Sequence, residues 1–474
     1  MRPRIPRMTE TKVANILYLF SINSRMRTSP RSCIIIGAGL AGISAAVACV
    51  HAGCRPIVME TKGYVGGRSR SFDDAVTGEL VDNGQHLLMG CYDRVLELSQ
   101  TLGTAHTLLH QGSLEVRFRD TSGDDDAFGP SRLPSSLGAL VSLLGMRRIG
   151  ASGKWRALLM MAALHRGYAP PAHATALDVL QHFRQTPDLV ERFWEPFILA
   201  TMNAEPSVTS GAVLVEVLRR SILAGGKNSS LVIPRLGLSA IVDPFPAWLH
   251  ENGGEMRLHT HADEVVMENG VCIGVRTTSG DVVHADSVIV AVPPYAFARL
   301  RRSDTQSPVL TLHESVLRTS GIVSTYLWFD TDFMVEPLCA GIGTVTQWIF
   351  NRRMLHHSAP GITQRFPGHV TLTTSAADAV QNEDASAIVE RSLRELHQLV
   401  PASRPARLLH SLVIKERRAT MLLTPESHMH RPGPHTSVPN VKVCGDWTQT
   451  GLPATLEGAA QSGLTAVAAL AGVT

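Results

Sequence analysis

The chain has 474 residues, 44% hydrophobic and 18% charged, with a net charge of +3. That length is too great for one ordinary core, so two domains are expected, and the composition is that of a globular protein rather than a disordered one. The near balance of charge gives no footprint for nucleic acid, and seven cysteines without CxxC pairs or metal-ligand spacing exclude a disulfide scaffold and a metal centre, leaving reduced thiols in a cytoplasmic protein as the simplest expectation.

Residues 1–31 carry seven Lys/Arg and one Glu, a local charge of +6 against −3 for the remainder. The apolar stretch Ile16 to Ile22 is too short and interrupted for a signal peptide, and no small-residue cleavage site follows. A disordered extension or an over-called start, with Met26 as the initiator, is the expectation.

From Cys33 to Thr61 the run CIIIGAGLAGISAAVACVHAGCRPIVMET reads as strand, glycine turn, small-residue helix and second strand. Gly37 permits the tight turn, Gly39 lets backbone approach a pyrophosphate, and Gly42 lets the helix pack close to the strand, whose N-terminal N–H groups face the phosphates. Glu60 ends the second strand where a ribose-binding carboxylate is expected. Ser32 to Val50 is a 19-residue uncharged stretch and meets the length for a membrane span. The glycine spacing and the closing acid favour the dinucleotide unit instead.

Next comes Gly66-Gly67-Arg68-Ser69, a loop suited to wrap a pyrophosphate, with Arg68 supplying charge-assisted bonds; alone it would read as an exposed turn. VDNGQHLLMGCY (Val81 to Tyr92) leads into a helix expected from about Tyr92 to Leu102. Residues 127–177 contain no Asp or Glu but six Lys/Arg among apolar runs, which predicts a basic amphipathic helical region, and helices continue to Leu223. From Gly254 to Pro294 short strands take over, with turn signals at Glu268-Asn269-Gly270 and Ser279-Gly280-Asp281. Residues 320–420 mix strands with a helix over Asp384 to Leu399. The end reads strand, Gly445-Asp446, then a helix opening near Leu456. Gly-Asp after a strand can hold the ribityl–phosphate portion of FAD, and a helix N-terminus can place partial positive charge by the flavin ring. The bland alternative there is a packing helix, with Glu457 only a helix-start residue.

The fold expected is therefore α/β: a discontinuous Rossmann-like FAD-binding domain of the glutathione-reductase/amine-oxidase type with an inserted mixed α+β substrate domain. The FAD-binding domain is expected to comprise residues 32–110, 236–300 and 421–474, following the leader 1–31. The substrate domain is expected to comprise the helical, basic, membrane-facing region 111–235 and a second segment, 301–420.

Three segments, VDNGQHLLMGCY, FWEPFILATMNAEP (Phe193 to Pro206) and CGDWTQTGLPATLEGAAQSG (Cys444 to Gly463), resemble the squalene-associated FAD-dependent desaturase family, over about residues 32–472. The family shares its glycine motifs with the flavin amine oxidase and phytoene desaturase superfamily, and its members act as hydroxysqualene dehydroxylases in squalene and hopanoid synthesis. The resemblance implies FAD, hydride transfer to hydroxysqualene with loss of water, and Val265 as a backbone contact to adenine. Trp194 and Asn203 become candidate substrate-domain residues, with core packing the simpler reading of Trp194. His86 is the nominated acid, since histidine exchanges protons near neutrality; a structural histidine bonded to a backbone carbonyl is the competing reading. Asp82 is read as a structural or flavin-side carboxylate. The basic stretch 127–177 suits docking on an anionic membrane, so the expected location is the inner face of the cytoplasmic membrane, with squalene-pathway synthases as candidate partners. A carotenoid-type desaturase and a flavin amine oxidase are the alternatives.

Overall fold

The computed structural model describes residues 31–111, 115–123, 125–129 and 136–472. Residues 1–30 of the basic leader, and Arg132 of the basic stretch, lie outside the described residues.

A five-stranded parallel sheet organises one half of the molecule, in the spatial order Glu255–Arg257, Arg55–Met59, Ser32–Ile36, Ser287–Val290, Val441–Val443. Ser32–Ile36 sits at its centre because its side chains are apolar on both faces, as a doubly covered parallel strand requires. Cys33 and Ile35 pack into the cluster formed with helix Leu40–His51 and helix Leu456–Leu470. Ile34 and Ile36 point the other way, into a cluster with Val265, Cys272 and Val275 of a small second sheet. The last helix closes on the first: Ser44 Oγ donates to Ala460 O at 2.8 Å, and a Cβ on Gly463 would stand 2.4 Å from Ala41 O. One nucleotide-binding sheet is thus drawn from three separated stretches of chain.

The small sheet runs Val282–His284, Val271–Thr277, Ala262–Glu268, Arg301–Arg302. Its first hairpin turns at Asn269 (φ +50°) and Gly270 (φ +78°), the left-handed pair that an Asn-Gly signal predicts.

The other half is built on a seven-stranded mixed sheet: Leu408–Met421, Thr319–Phe329, Gly368–Thr374, Trp348–Asn351, Leu338–Ile342, Val116–Asp120, Asp125–Phe128. Helix Ala385–Leu399 covers one face, where Leu396 and Leu399 meet Leu327 and Phe329. The stretch read as helical from residue 111 therefore opens with a β-hairpin. The reason is period-two burial in Val116–Asp120, where Val116, Phe118 and Asp120 are buried while Arg117 and Arg119 are not, so the segment fits a strand with one face on the core. Leu231–Pro234, near the end of that stretch, is likewise a strand, pairing with Leu88–Met89 and Leu108–His110. The helical portion proper holds Ser136–Gly145, Ala151–His165 and the helices that follow.

Candidate active site

Gly37 has φ +105°, and a Cβ there would lie 2.8 Å from Ala291 O. A Cβ on Gly42 would lie 1.9 Å from Gly37 O, so the helix can rest on the turn only if residue 42 has none. Gly39 differs: a Cβ there would meet no protein atom within 4 Å, so its outer side is open. It is the N-cap of helix Leu40–His51 and no side chain caps that helix, which leaves first-turn N–H groups for an anion. Glu60 receives Ala38 N–H at 2.8 Å and Lys62 N–H at 2.9 Å, which fixes its carboxylate beside the turn. Gly66 donates its N–H to Ala38 O at 2.8 Å, and a Cβ on Gly67 would come within 3.2 Å of Gly39 Cα, so the second glycine loop lies against the first. Open space, uncapped N–H groups and a carboxylate at one edge fit the pyrophosphate and ribose of FAD.

The C-terminal cluster joins from the other side. Asp446, 6% exposed, accepts Arg68 Nη2 at 2.6 Å, while Arg68 Nη1 donates to Ala419 O at 2.8 Å in the seven-stranded sheet. Arg68 thereby ties both halves together at the site. Gly445 (φ +152°) donates to Ser462 Oγ at 2.8 Å, and a Cβ on it would strike the Trp447 ring. Leu456 opens the last helix and packs half-buried between the helices, and the Thr455 hydroxyl takes Gly458 N–H at 3.3 Å. Glu457 has a role the sequence did not disclose. Its carboxylate accepts Arg94 N–H (3.0 Å) and Val95 N–H (3.1 Å), capping helix Asp93–Thr101, and burial pushes its pKa up to about 7.

A cavity of about 260 Å³ begins beside Arg68. Its walls include Glu416, Ile322, Thr373, Phe350, Phe118 and Phe128, one residue from each of six strands taken in their order across the seven-stranded sheet. At the ~4.8 Å spacing of neighbouring strands it therefore runs roughly 25–30 Å over that face. Opposite the sheet stand Phe193 and Phe197, with Phe193 against Phe128 at 5.3 Å between ring centroids. Polar groups gather at one end, where Asn83, Gln85, His86, Glu416 and Arg68 meet; aromatic and aliphatic groups line the other.

The loop Asn83–His86 at the polar end is held from behind by a buried network. Arg352, 1% exposed, reaches Asp82 Oδ2 (3.2 Å), Gln85 Oε1 (2.7 Å), His356 Nε2 (2.8 Å) and Leu80 O (2.7 Å). Because a guanidinium only donates, His356 Nε2 is an unprotonated acceptor; burial and the Arg352 charge hold its pKa well below the usual histidine value. Beside it Glu79 bonds Arg353 and Trp328 Nε1 (2.8 Å); burial would raise its pKa, but His369, Arg353 and Ser358 hold the carboxyl far below the ordinary range. Asp82 is thus a structural carboxylate.

The residues named from sequence separate here. His86 lines the cavity while its Nδ1 contacts Gly84 O at 2.7 Å, so the carbonyl-bonded ring and the cavity-facing ring are the same ring. Since a carbonyl only accepts, Nδ1 carries a proton and Nε2 is the nitrogen left for exchange. Trp194 is a correction: it is 2% exposed, donates Nε1–H to Gln185 Oε1 at 2.9 Å and does not line the cavity. It belongs to a π-helical turn, Val190–Trp194, which presents Phe193 inward instead. Asn203 is a second correction. At φ +50° it ends helix Glu195–Met202, accepts Ala376 N–H at 2.8 Å and donates to Thr420 Oγ1 at 3.0 Å, clamping the helix to the sheet behind the cavity. Val265 is a third. It pairs with Val275 on one side and its carbonyl accepts Ser303 N–H at 2.9 Å on the other, so its backbone is consumed by the sheet. The chain that passes Glu60 is instead Arg257 to Thr260, bonded to the Glu60 backbone at 2.9 Å in both directions.

A family model described as flavin containing amine oxidoreductase matches residues 40–471. The chain belongs to this family. The hydroxysqualene dehydroxylase of Rhodopseudomonas palustris is 30% identical over 438 residues, covering 90% of this chain and 96% of the relative. That of Sinorhizobium fredii is 29% identical over 450 residues, covering 92% and 97%. Within the flavin amine oxidase superfamily the chain groups with the hydroxysqualene dehydroxylases; it is an FAD-dependent oxidoreductase and its cofactor is FAD. The 15-cis-phytoene desaturase of Arabidopsis thaliana is also related, 22% identical over 488 residues and covering 97% of this chain and 84% of the relative. A crystal structure of an oxidoreductase from Methanosarcina mazei shares the fold at TM-score 0.68 and 17% identity, covering 91% of this chain and 98% of that one.

Proposed function

We propose that this flavoenzyme reduces hydroxysqualene to squalene. The observation that carries the reading is the long cavity, which has its charged side chains, Arg68 and Glu416, together with the loop Asn83–His86 at one end and mostly aromatic and aliphatic side chains along the rest of the sheet. Such a shape suits a long hydrocarbon bearing one hydroxyl, and the dehydroxylase relatives support the same substrate. Reduced FAD supplies a hydride. His86 Nε2 holds the proton for the leaving oxygen: the C–O bond breaks, the hydroxyl departs as water with that proton, and the carbon receives the hydride. Phe193, Phe197 and Phe118 hold the hydrocarbon chain by apolar contact. Anaerobic incubation of the protein with reduced FAD and hydroxysqualene, read by mass spectrometry, tests this; squalene formed in step with flavin reoxidation is expected. Bound flavin with no squalene would turn the reading to a desaturase acting with oxidised flavin, which the phytoene desaturase relatives favour as the second choice.

The location proposed is the surface of an anionic membrane. Among the described residues no helix is long and apolar enough to cross a bilayer. Helices Ser136–Gly145 and Ala151–His165 expose Trp155 (62%), Leu159 (49%), Leu144 (47%) and Val141 (45%) beside Arg147, Arg148, Lys154 and Arg156. Ser136–Gly145 packs on strand Asp125–Phe128 and on the turn Arg219–Leu223, which give the cavity Phe128 and Ile222. The basic apolar face thus stands over the apolar end of the cavity, where a lipid-dissolved substrate would enter. Sedimentation with anionic liposomes, lost in high salt, is the expected result.

A further inference from the structure

We infer that Glu416 and Asn83 form the anchor that recognises the substrate's hydroxyl. The inference rests on the dehydroxylase reading and adds a specificity site to it. Both residues line the polar end of the cavity, Asn83 from the loop that follows Arg68 and Glu416 from the edge strand Leu408–Met421. Asn83 Nδ2 donates to Glu416 Oε2 at 2.8 Å, and Arg418 N–H donates to Glu416 Oε1 at 3.2 Å, which fixes the carboxylate in one orientation. Each carboxylate oxygen keeps a further lone pair, because an ionised carboxylate accepts about four hydrogen bonds. The remainder of the cavity is dominated by Phe, Leu, Ile and Val side chains.

A hydroxyl entering this end donates its hydrogen to Glu416 and turns its own lone pairs outward. His86 lies on the same loop as Asn83 and lines the same cavity, so in this scheme it is the group that delivers a proton to the oxygen held by Glu416. A fixed negative charge there also favours the positive carbon left when the C–O bond breaks. Glu416 neither gains nor loses a proton in this scheme; it orients the leaving group.

Recognition by a charge-assisted hydrogen bond makes a difference that a packing role does not: it favours hydroxysqualene over squalene, which has the same chain without the oxygen. The test is titration of the FAD-loaded protein with each of the two lipids in detergent micelles, followed by the flavin absorbance, beside turnover of hydroxysqualene. The native protein is expected to bind hydroxysqualene on the order of tenfold tighter than squalene. Glu416→Leu and Asn83→Leu are expected to bring that ratio close to one while squalene affinity stays the same, and Glu416→Gln to retain a fraction of it. Bound flavin after purification shows that each variant is folded, and Glu416→Gln and Asn83→Leu carry the test if Glu416→Leu is not. A native ratio retained in these variants, with native turnover established, overturns the anchor and leaves the dehydroxylase reading standing. A native protein that makes no squalene overturns both.

Discussion

The buried network behind the cavity makes a quantitative prediction about Arg352. Arg352→Met keeps the side-chain length and removes the guanidinium from four acceptors at 2.7–3.2 Å. Asp82 Oδ1 keeps its bonds from Ser71 Oγ (2.6 Å) and Leu238 N–H (2.8 Å), but Oδ2 loses its cation at a position 1% exposed. An ion pair left half-formed in the interior costs about 3–5 kcal/mol, chiefly from the uncompensated charge rather than the lost attraction. That size is a large share of the stability of an ordinary domain. Urea unfolding followed by tryptophan fluorescence measures it directly, with Trp328 in the adjoining Glu79 network as a local reporter. Adding Asp82→Asn to Arg352→Met removes the stranded charge and is expected to return about 1 kcal/mol or more, so the two substitutions are non-additive. A loss below about 1 kcal/mol for Arg352→Met, or a double variant as unstable as the two single losses together, would refute the account of the network.

The glycine turn separates two effects. Gly39→Ala adds a methyl to open space, so its unfolding midpoint should match the native apoprotein while bound FAD falls at least roughly tenfold, about 1.4 kcal/mol; Gly42→Val drives a side chain into Gly37 O and should yield unstable, colourless protein, both seen by flavin absorbance and thermal melting. Glu457 predicts a pH effect. An acid whose folded pKa of about 7 exceeds the ordinary 4.5 binds more protons folded than unfolded between those values, so stability falls as pH rises through that window, by about 3 kcal/mol in total; Glu457→Gln should flatten this slope in urea midpoints taken from pH 4.5 to 7, and an unchanged slope would remove Glu457 as its source. Asn203→Ala abolishes three hydrogen bonds and leaves a non-glycine, non-asparagine residue at φ +50°, so a loss of about 2–3 kcal/mol is expected, with the Kd for FAD unchanged in equilibrium titration.

What could be read from the chain was what is contiguous. Gly37, Gly39, Gly42 and Glu60 act through one βαβ unit whose pieces are neighbours in sequence, so their spacing alone describes the geometry. The hairpin at Asn269-Gly270 is legible for the same reason. Val265 shows where this stops: a strand's own pattern cannot reveal that Arg301–Arg302, 36 residues on, pairs along its second edge and occupies its backbone. At Trp194 the core-packing reading is the one that fits. The tryptophan lies buried in a π-helical turn, while its neighbour Phe193 is the ring that lines the cavity. The cavity was wholly hidden, because its six sheet residues come from six strands between positions 116 and 421. Glu416 lies in a strand where half-buried residues run without alternation, which gives no signal of a face.

That strand also explains why the two halves act together. Thr420 pairs with Ser320, yet Glu416 pairs with Ile322, so three residues, Arg417 to Ala419, stand opposite Gly321 alone. Such a bulge bends the edge and re-aims side chains and carbonyls that a regular ladder would hold. Here it turns Ala419 O towards Arg68, sets Glu416 against Asn83, places Arg418 over the Tyr295 ring at 4.4 Å, and leaves Thr420 to Asn203. A Cβ at Gly321 would lie 2.7 Å from Gln381 Oε1, so a larger residue there would have to displace that side chain. Five residues of one edge strand thus hold the arginine that bridges to the nucleotide-binding half, the polar end of the cavity and the clamp beneath it. The seating of the two halves against each other at Arg68 is then tied to the register of a single irregular strand.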